Sequence, residues 1–390
     1  MSEPLQRILS AKAPLTLAGV PAGFLPWLAG DAARAAHGKG GVTSGRAVVV
    51  AADELAMRAL ADTVPVFAPE VEVLQLPAWD CLPYDRSSPA LRVMAERLAT
   101  LHALQVPRKR PQLLIVTANA LTQRVPTPFR IRQLTRRLAA GERIDREALI
   151  ALLGANGYQR TDAVADAGEY AVRGSLIDLF PAGEPTALRL DFFGDEIESV
   201  RRFDPADQRT IGPAEAFTLM PASEALLDEA TIKRFRALYR ETFGANATGD
   251  PLYQAVSEGR RLAGMEHWLP LFEESLSTLF EHLSGNDVWL RDTGTDGAID
   301  ARYDSIADYF DNRTKAMVAQ PGSYRPLPPG ALYLEPHEWD AAAAARCASP
   351  RASSRSRGPA TSAAGRDKSS PTPARSAAAR ASTTPNPNSR

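Results

Sequence analysis

The chain has 390 residues, 44% hydrophobic and 23% charged, with a formal net charge of −1; this balance suits a soluble globular protein of two or three domains with ample core. Residues 346–390 hold eight Arg, one Lys and one Asp, which leaves −9 on the preceding 345, and an acidic body is a poor general binder of phosphate backbones. The two cysteines, Cys81 and Cys347, lie far apart in unlike contexts, so neither a disulfide framework nor a zinc spacing can be built from them.

From the N-terminus to about Phe129 the pattern alternates. Leu15–Val20, Ala47–Ala51, Val71–Leu76 and Gln112–Thr117 are predicted as buried strands, and Phe24–Ala36, Asp53–Ala61 and Ala90–Leu104 as helices. Strands alternating with helices imply an α/β fold, a mainly parallel sheet covered on both faces. Ala13–Gly30 is the most apolar early stretch, but Pro14, Pro21, Pro26 and three glycines interrupt it and no basic segment of the secretory type precedes it. It is not expected to span a membrane, and the chain is expected to be cytoplasmic.

The layout Leu15–Gly23 followed by a helix imitates a phosphate-binding loop, yet the chemistry is missing. Counted from Gly19, the positions that would carry Gly, Lys and Ser or Thr are Phe24, Leu25 and Pro26, and Gly38-Lys39 is followed by Gly40. No nucleotide, cofactor or metal is therefore expected. Asp53, at the end of Val48–Ala52, is read as a helix N-cap rather than a Mg²⁺ ligand. Pro77–Pro89 is read as a proline-shaped loop with Trp79 and Tyr84 packed as plugs.

Between about Arg130 and Phe217 the period changes. One helix, Arg146–Gly154, is followed by short antiparallel strands between Gly168 and Thr210, which predicts a separate α+β domain inserted into the first. Alternation puts Leu188, Leu190 and Phe192 on a core face and Arg189, Asp191 and Phe193 on the other, just before a Gly194-Asp195 turn. An outward aromatic framed by arginines, here Phe193 with Arg189 and Arg173, is a common anchor for a protein partner. The plainer alternative pairs the arginines with Asp191 or Glu198 and uses Phe193 to close a small core.

Thr218–Ala345 is predicted to contain a helix at Glu229–Phe243 and strands at Ser277–Leu283 and Asp287–Leu290 that return to the first sheet, with a proline-rich loop at Thr314–Pro329. The five histidines, at 37, 102, 267, 282 and 337, show no paired-ligand spacing; His267 is read as a packing residue. No nucleophile signature is present either, so no catalytic residue is assigned. Residues 346–390 lack Leu, Ile, Val, Met, Phe, Tyr and Trp and are expected to form a disordered basic tail. A frame shift in GC-rich DNA would generate the same composition; an uninterrupted frame ending at Arg390 in an independent clone would exclude it.

EYAVRGSLIDLFP, RLDFFGDEIESVRRFD and the QRT that follows resemble the UvrA-interaction module shared by UvrB and the bacterial transcription-repair coupling factor (Mfd). LPAWDCLPYDRSSP at Leu76–Pro89, ERLATLHAL, and EGRRLAGMEHWLPLF at Glu258–Phe272 resemble the coupling factor. The resemblance runs from roughly Ala13 to Ala345, about the N-terminal third of that family, and includes none of its motor. It implies a degenerate helicase-like (RecA-like) domain in two segments, 1–129 and 218–345, around an inserted domain at 130–217. It further implies that Arg173, Arg189 and Phe193 contact UvrA, and that RNA polymerase and DNA are reached only through parts this chain lacks. No ATPase activity is expected of the chain. The Pro77–Pro89 loop corresponds to DNA-handling elements in UvrB, so a weak DNA contact there is the alternative to simple packing.

Overall fold

The computed structural model describes residues 8, 17, 21, 23–38, 45–244, 249–319 and 324–346. Except for Leu17, the strand expected over Leu15–Val20 falls outside them, as does the tail beyond residue 346. The first sheet is built from β1 (Ala47–Ala51), β2 (Glu72–Leu76), β3 (Gln112–Thr117) and β14 (Val288–Arg291), in the order β14-β1-β3-β2. All three pairings are parallel. A parallel sheet must be covered on both faces, and alternation supplies two apolar sets. Val48, Val50, Leu114 and Val116 enter one core, while Ala47, Val49, Leu113 and Ile115 enter the other.

Helices α1 (Phe24–Gly38), α2 (Glu54–Phe67) and α3 (Leu91–Ala103) cover these faces. Helix α2 begins where Asp53 accepts a hydrogen bond from the Ala56 N–H at 2.8 Å, as its N-cap role requires. It buries Met57, Leu60, Ala61 and Val64, one stripe at helical spacing.

A second, six-stranded sheet comprises β6 (Gln159–Arg160), β7 (Glu169–Arg173), β8 (Leu176–Leu179), β9 (Ala187–Phe193), β10 (Glu196–Phe203) and β11 (Thr210–Ala214), paired in sequence order. All its pairs are antiparallel except β6–β7. The chain enters and leaves this unit side by side, because β5 (Arg136–Ala139) pairs antiparallel with β12 (Ala216–Leu219). One face is packed with Leu149 and Leu153 of α4 (Arg146–Ala155) against Ile177, Leu188, Leu190 and Phe192.

The return segment departs from the sequence reading in two places. Of the expected Ser277–Leu283 strand only Ser277 is in a strand, as the end of β13 (Leu276–Ser277, paired with β4 at Val125–Pro126), and Leu279–His282 forms a tight helical turn. A Thr278–Glu281 capping box closes that turn and drives Leu279 and Phe280 into the core. Thr314–Ala319 is helical rather than loop, because α6 (Thr295–Ala319) meets no glycine or proline after Gly297. Helix α5 occupies Glu229–Phe243 and β14 returns to β1, as expected.

The two sheets are joined by a buried ion pair. Arg97 of α3 donates through Nε to Glu224 Oε1 at 2.6 Å and through Nη1 to the Pro77 carbonyl at 2.7 Å. Trp79 Nε1 donates to the same Glu224 oxygen at 3.0 Å. Both charged side chains are 0% exposed. Nearby, Arg261 spans Ser223 Oγ at 3.1 Å and the Ala225 carbonyl at 2.8 Å. The segment that leaves β12 is thereby clamped to the body. Trp79 and Tyr84 are buried, with the Tyr84 hydroxyl donating to the Leu327 carbonyl.

Removing one member of a buried pair strands the other, which typically costs about 3–5 kcal/mol. Glu224→Ala is expected to lower the thermal midpoint by roughly 4–7 degrees, the shift that such a loss produces in a folded body of this size, measured by circular dichroism. Glu224→Gln, which keeps an acceptor, should lose less.

His267 and His282 are buried, and burial pulls both down to about 4 from 6.5. His282 fits a neutral ring, with Nε2 donating to the Pro126 carbonyl at 2.9 Å and Nδ1 accepting from Gln105 at 3.1 Å. The unfolded chain binds protons below pH 6.5 that these rings refuse until about 4. Each histidine therefore removes about 1.4 kcal/mol of stability per pH unit across that window as pH falls. Burial pushes the Glu266 and Glu273 carboxyls up, which acts in the opposite sense. The histidine part is read as the difference in urea midpoint between the parent and His282→Gln from pH 7 to 5, with the variant expected to show the flatter slope.

Candidate partner-binding surface

The face of the six-stranded sheet opposite α4 carries charged side chains toward the hairpin end, and a small buried cluster of Val164, Ala171, Ala187 and Phe203 covers the rest of it. Register puts Asp178 of β8, Arg189 of β9 and Arg201 of β10 in one row, with Leu176, Asp191 and Ser199 in the next. Opposite charges on neighbouring strands stabilise such a face. Arg189 makes a two-pronged bond to Asp178, Nε to Oδ1 at 2.7 Å and Nη2 to Oδ2 at 2.8 Å. Its guanidinium also lies 4.8 Å from the centre of the Phe203 ring. Arg201 reaches Asp191 at 3.2 Å, and Ser175 Oγ donates to the other oxygen of Asp191 at 3.1 Å.

Two tight hairpin turns close the same end of this sheet. Gly174-Ser175 joins β7 to β8, and Gly194-Asp195 joins β9 to β10; the glycines adopt φ +59° and +61°. These turns need a positive φ that side chains resist, which is the physical reason for glycine at both positions. The turns are adjacent, since the Phe192 N–H bonds the Ser175 carbonyl at 3.1 Å.

The three residues singled out in the sequence all lie on this face, but in different conditions. Phe193 stands at the hairpin tip with 81% of its surface exposed. Arg173 is half-exposed; it donates to the Asp162 carbonyl at 2.6 Å and lies 4.0 Å from Asp178. Arg189 does not project as expected: its side chain is only 16% exposed and its partner Asp178 is 1% exposed. Neither Asp191 nor Glu198, the partners considered from sequence, pairs with it. The bulge between Ile197 and Ser199 turns Glu198 outward, and Asp191 is occupied by Arg201.

Asp178 escaped the sequence reading. Its signal was there, a carboxylate inside the apolar run Leu176-Ile177-Asp178-Leu179 opposite an arginine-bearing strand. Among the described residues, no three His, Cys, Asp or Glu side chains come together as a metal site, and no helix is long and apolar enough to cross a membrane.

The six-stranded, largely antiparallel sheet, held between an entering and a leaving strand, forms a distinct α+β module within the chain. Residues 137–224 match the UvrB interaction domain family. Most of the chain is also similar to transcription-repair-coupling factors. It is 38% identical over 299 residues to that of Escherichia coli strain K12, covering 76% of this chain and 25% of the relative. The relative from Haemophilus influenzae is 39% identical over 214 residues, 54% of this chain and 18% of its own length. That from Myxococcus xanthus is 38% identical over 251 residues, 60% and 20% respectively. The chain thus carries a UvrB interaction domain and is homologous to transcription-repair-coupling factors, spanning about a quarter or less of the length of these curated relatives.

Arg189→Ala leaves the buried Asp178 carboxylate without its close partner, so it is expected to destabilise the sheet by about 3–5 kcal/mol. Chemical denaturation of Arg189→Ala, Asp178→Ala and the double variant checks this. The double variant should lose less than the sum of the two single losses.

Proposed function

We propose that this chain recruits UvrA to sites of transcription-coupled repair through the hairpin tip of its six-stranded sheet, and that it does so without catalysis of its own. The observation that carries the reading is Phe193, 81% exposed on a rigid two-residue hairpin inside the matched UvrB interaction domain. Burying that ring in a partner contributes about 1.5–3 kcal/mol. Arg173 supplies a half-exposed guanidinium on the same face, a planar donor suited to carboxylates of a partner. Arg189 acts in this reading mainly by holding the sheet face through Asp178.

The architecture supports a two-segment body with an inserted module: residues 1–129 and 218–345 forming one degenerate helicase-like (RecA-like) domain, and 130–217 the insertion. The parallel pairing of β14 with β1 supports the return of the second segment. The boundary of the matched family, 137–224, lies several residues further along. The sequence from Gly19 offers no lysine for a triphosphate, so ATP hydrolysis is assigned to parts of the relatives that this chain does not match. RNA polymerase and DNA are partners of the proposed larger assembly through those same parts. A cytoplasmic location belongs to this reading.

Calorimetric titration of the chain into purified UvrA tests it. Saturable binding is expected, weakened tenfold or more in Phe193→Ala, while the thermal midpoint of that variant stays near the parent's because the side chain is solvent-exposed. Undiminished binding by Phe193→Ala, or none by the parent, overturns the reading.

A further inference from the structure

A second recognition feature lies at the opposite end of the six-stranded sheet from Phe193, about 20 Å away along the seven residues of β9. Here a cleft of about 710 Å³ opens between β2 with α3 on one side and the segment Phe180–Glu184 on the other. The size suits a few residues of an extended peptide.

Four consecutive residues of β2, Glu72 to Gln75, line the cleft. Side chains of a strand alternate between faces, so an unbroken run means that the edge of the strand, not a face, borders the opening. The same four residues are uniformly half-buried. Strand β2 is the terminal strand of the parallel sheet, with β3 as its partner on the inner side. Thr100 Oγ1 occupies the Gln75 carbonyl at 2.6 Å. The floor is shallow-sided, because α3 presents Ala95, Ala99 and Ala103 there at successive turns. Gly183 packs so closely on Ala99 that a Cβ would stand 3.1 Å from the alanine methyl.

The charge lining the cleft is mainly acidic. Among its lining residues Glu72, Glu96, Asp166 and Glu184 stand against Arg92, with Arg58 also acting on Glu96 and with Arg137 and Arg202 sharing an adjoining pocket with Glu184. Arg92 lies 3.8 Å from Glu96. Glu72 accepts from the neutral Gln112 amide and Glu184 from the Thr218 N–H. Burial pushes the Glu96 carboxyl up and the His102 ring down, so His102 adds no cation near neutral pH while Glu96 gains from any that arrives. An edge strand left open is a template for a further strand.

We propose that this cleft binds an extended arginine- or lysine-bearing peptide segment, which adds as a strand to the free edge of β2 and places its cations on Glu96 and Glu184. The site is independent of the UvrA-binding surface and uses none of Arg173, Arg189 or Phe193.

The test uses the full chain and a fluorescein-labelled dodecapeptide of alternating Arg and Thr, with a Glu-for-Arg peptide as control. Saturable binding of the Arg peptide alone is expected, weakened at least tenfold by the combined Glu96→Gln and Glu184→Gln substitutions. Hydrogen exchange in the unsubstituted chain should slow at residues 72–75 on binding. The proposal is overturned if the Arg peptide does not bind, if the double variant binds equally well, or if exchange at 72–75 is unchanged. No UvrA is present, so failure here leaves the recruitment reading standing, and loss of UvrA binding in Phe193→Ala says nothing about the cleft.

Discussion

Arg97 and Glu224 meet with no exposure to solvent, at the point where the chain leaves the six-stranded sheet and rejoins the body. Two ions there would be costly unless each were closely paired, and the surrounding groups satisfy them in part, leaving Arg97 Nη2 and Glu224 Oε2 without a hydrogen-bond partner. The Pro77 carbonyl takes one arm of Arg97, and Trp79 donates to the Glu224 oxygen that Arg97 holds. One charge cluster therefore couples α3, the proline-shaped loop and the segment after β12. Arg261 reinforces the clamp from the return segment. The cluster thereby fastens the base of the six-stranded sheet to the body, at the end of the unit remote from its hairpin tip.

The two sheets solve opposite problems. The parallel sheet hides both faces of its central strands β1 and β3, which read as apolar runs, whereas its edge strand β2 carries Glu72 and Gln75 and is only half-buried. The antiparallel sheet hides one face on α4 and covers part of the other with Val164 and Phe203, leaving the hairpin end exposed. Its charged face is stabilised by cross-strand pairs of opposite charge, Asp178 with Arg189 and Asp191 with Arg201. These pairs occupy charges that would otherwise compete for a partner, and the hairpin tip is left with an unpaired aromatic.

Much of this was legible from residue patterns alone. The alternation of Leu188, Leu190 and Phe192 against Arg189, Asp191 and Phe193 announced both faces of β9, because a strand's period of two leaves little choice once one set must be buried. The cap at Asp53 and the helix at Glu229–Phe243 were equally local matters. Where the reading failed, the cause was non-local or a competing local motif. The Thr278–Glu281 box turned an apolar run into a helical turn. The exposure expected of Arg189 was cancelled by a carboxylate eleven residues earlier that only the β8–β9 register brings opposite.

The sequence by itself determined the change of period that separates a parallel sheet from an antiparallel one, and which residues of β9 face outward. These follow from spacing and composition, which are properties of neighbours in the chain. Only the tertiary structure decided which outward residues are free and which are spent. Arg189 is consumed by Asp178, Glu224 is buried on Arg97 from 127 positions away, and Phe193 alone of the three singled-out residues stands mostly in solvent. Such pairings depend on strand register and on the return of distant segments, and no local pattern encodes them.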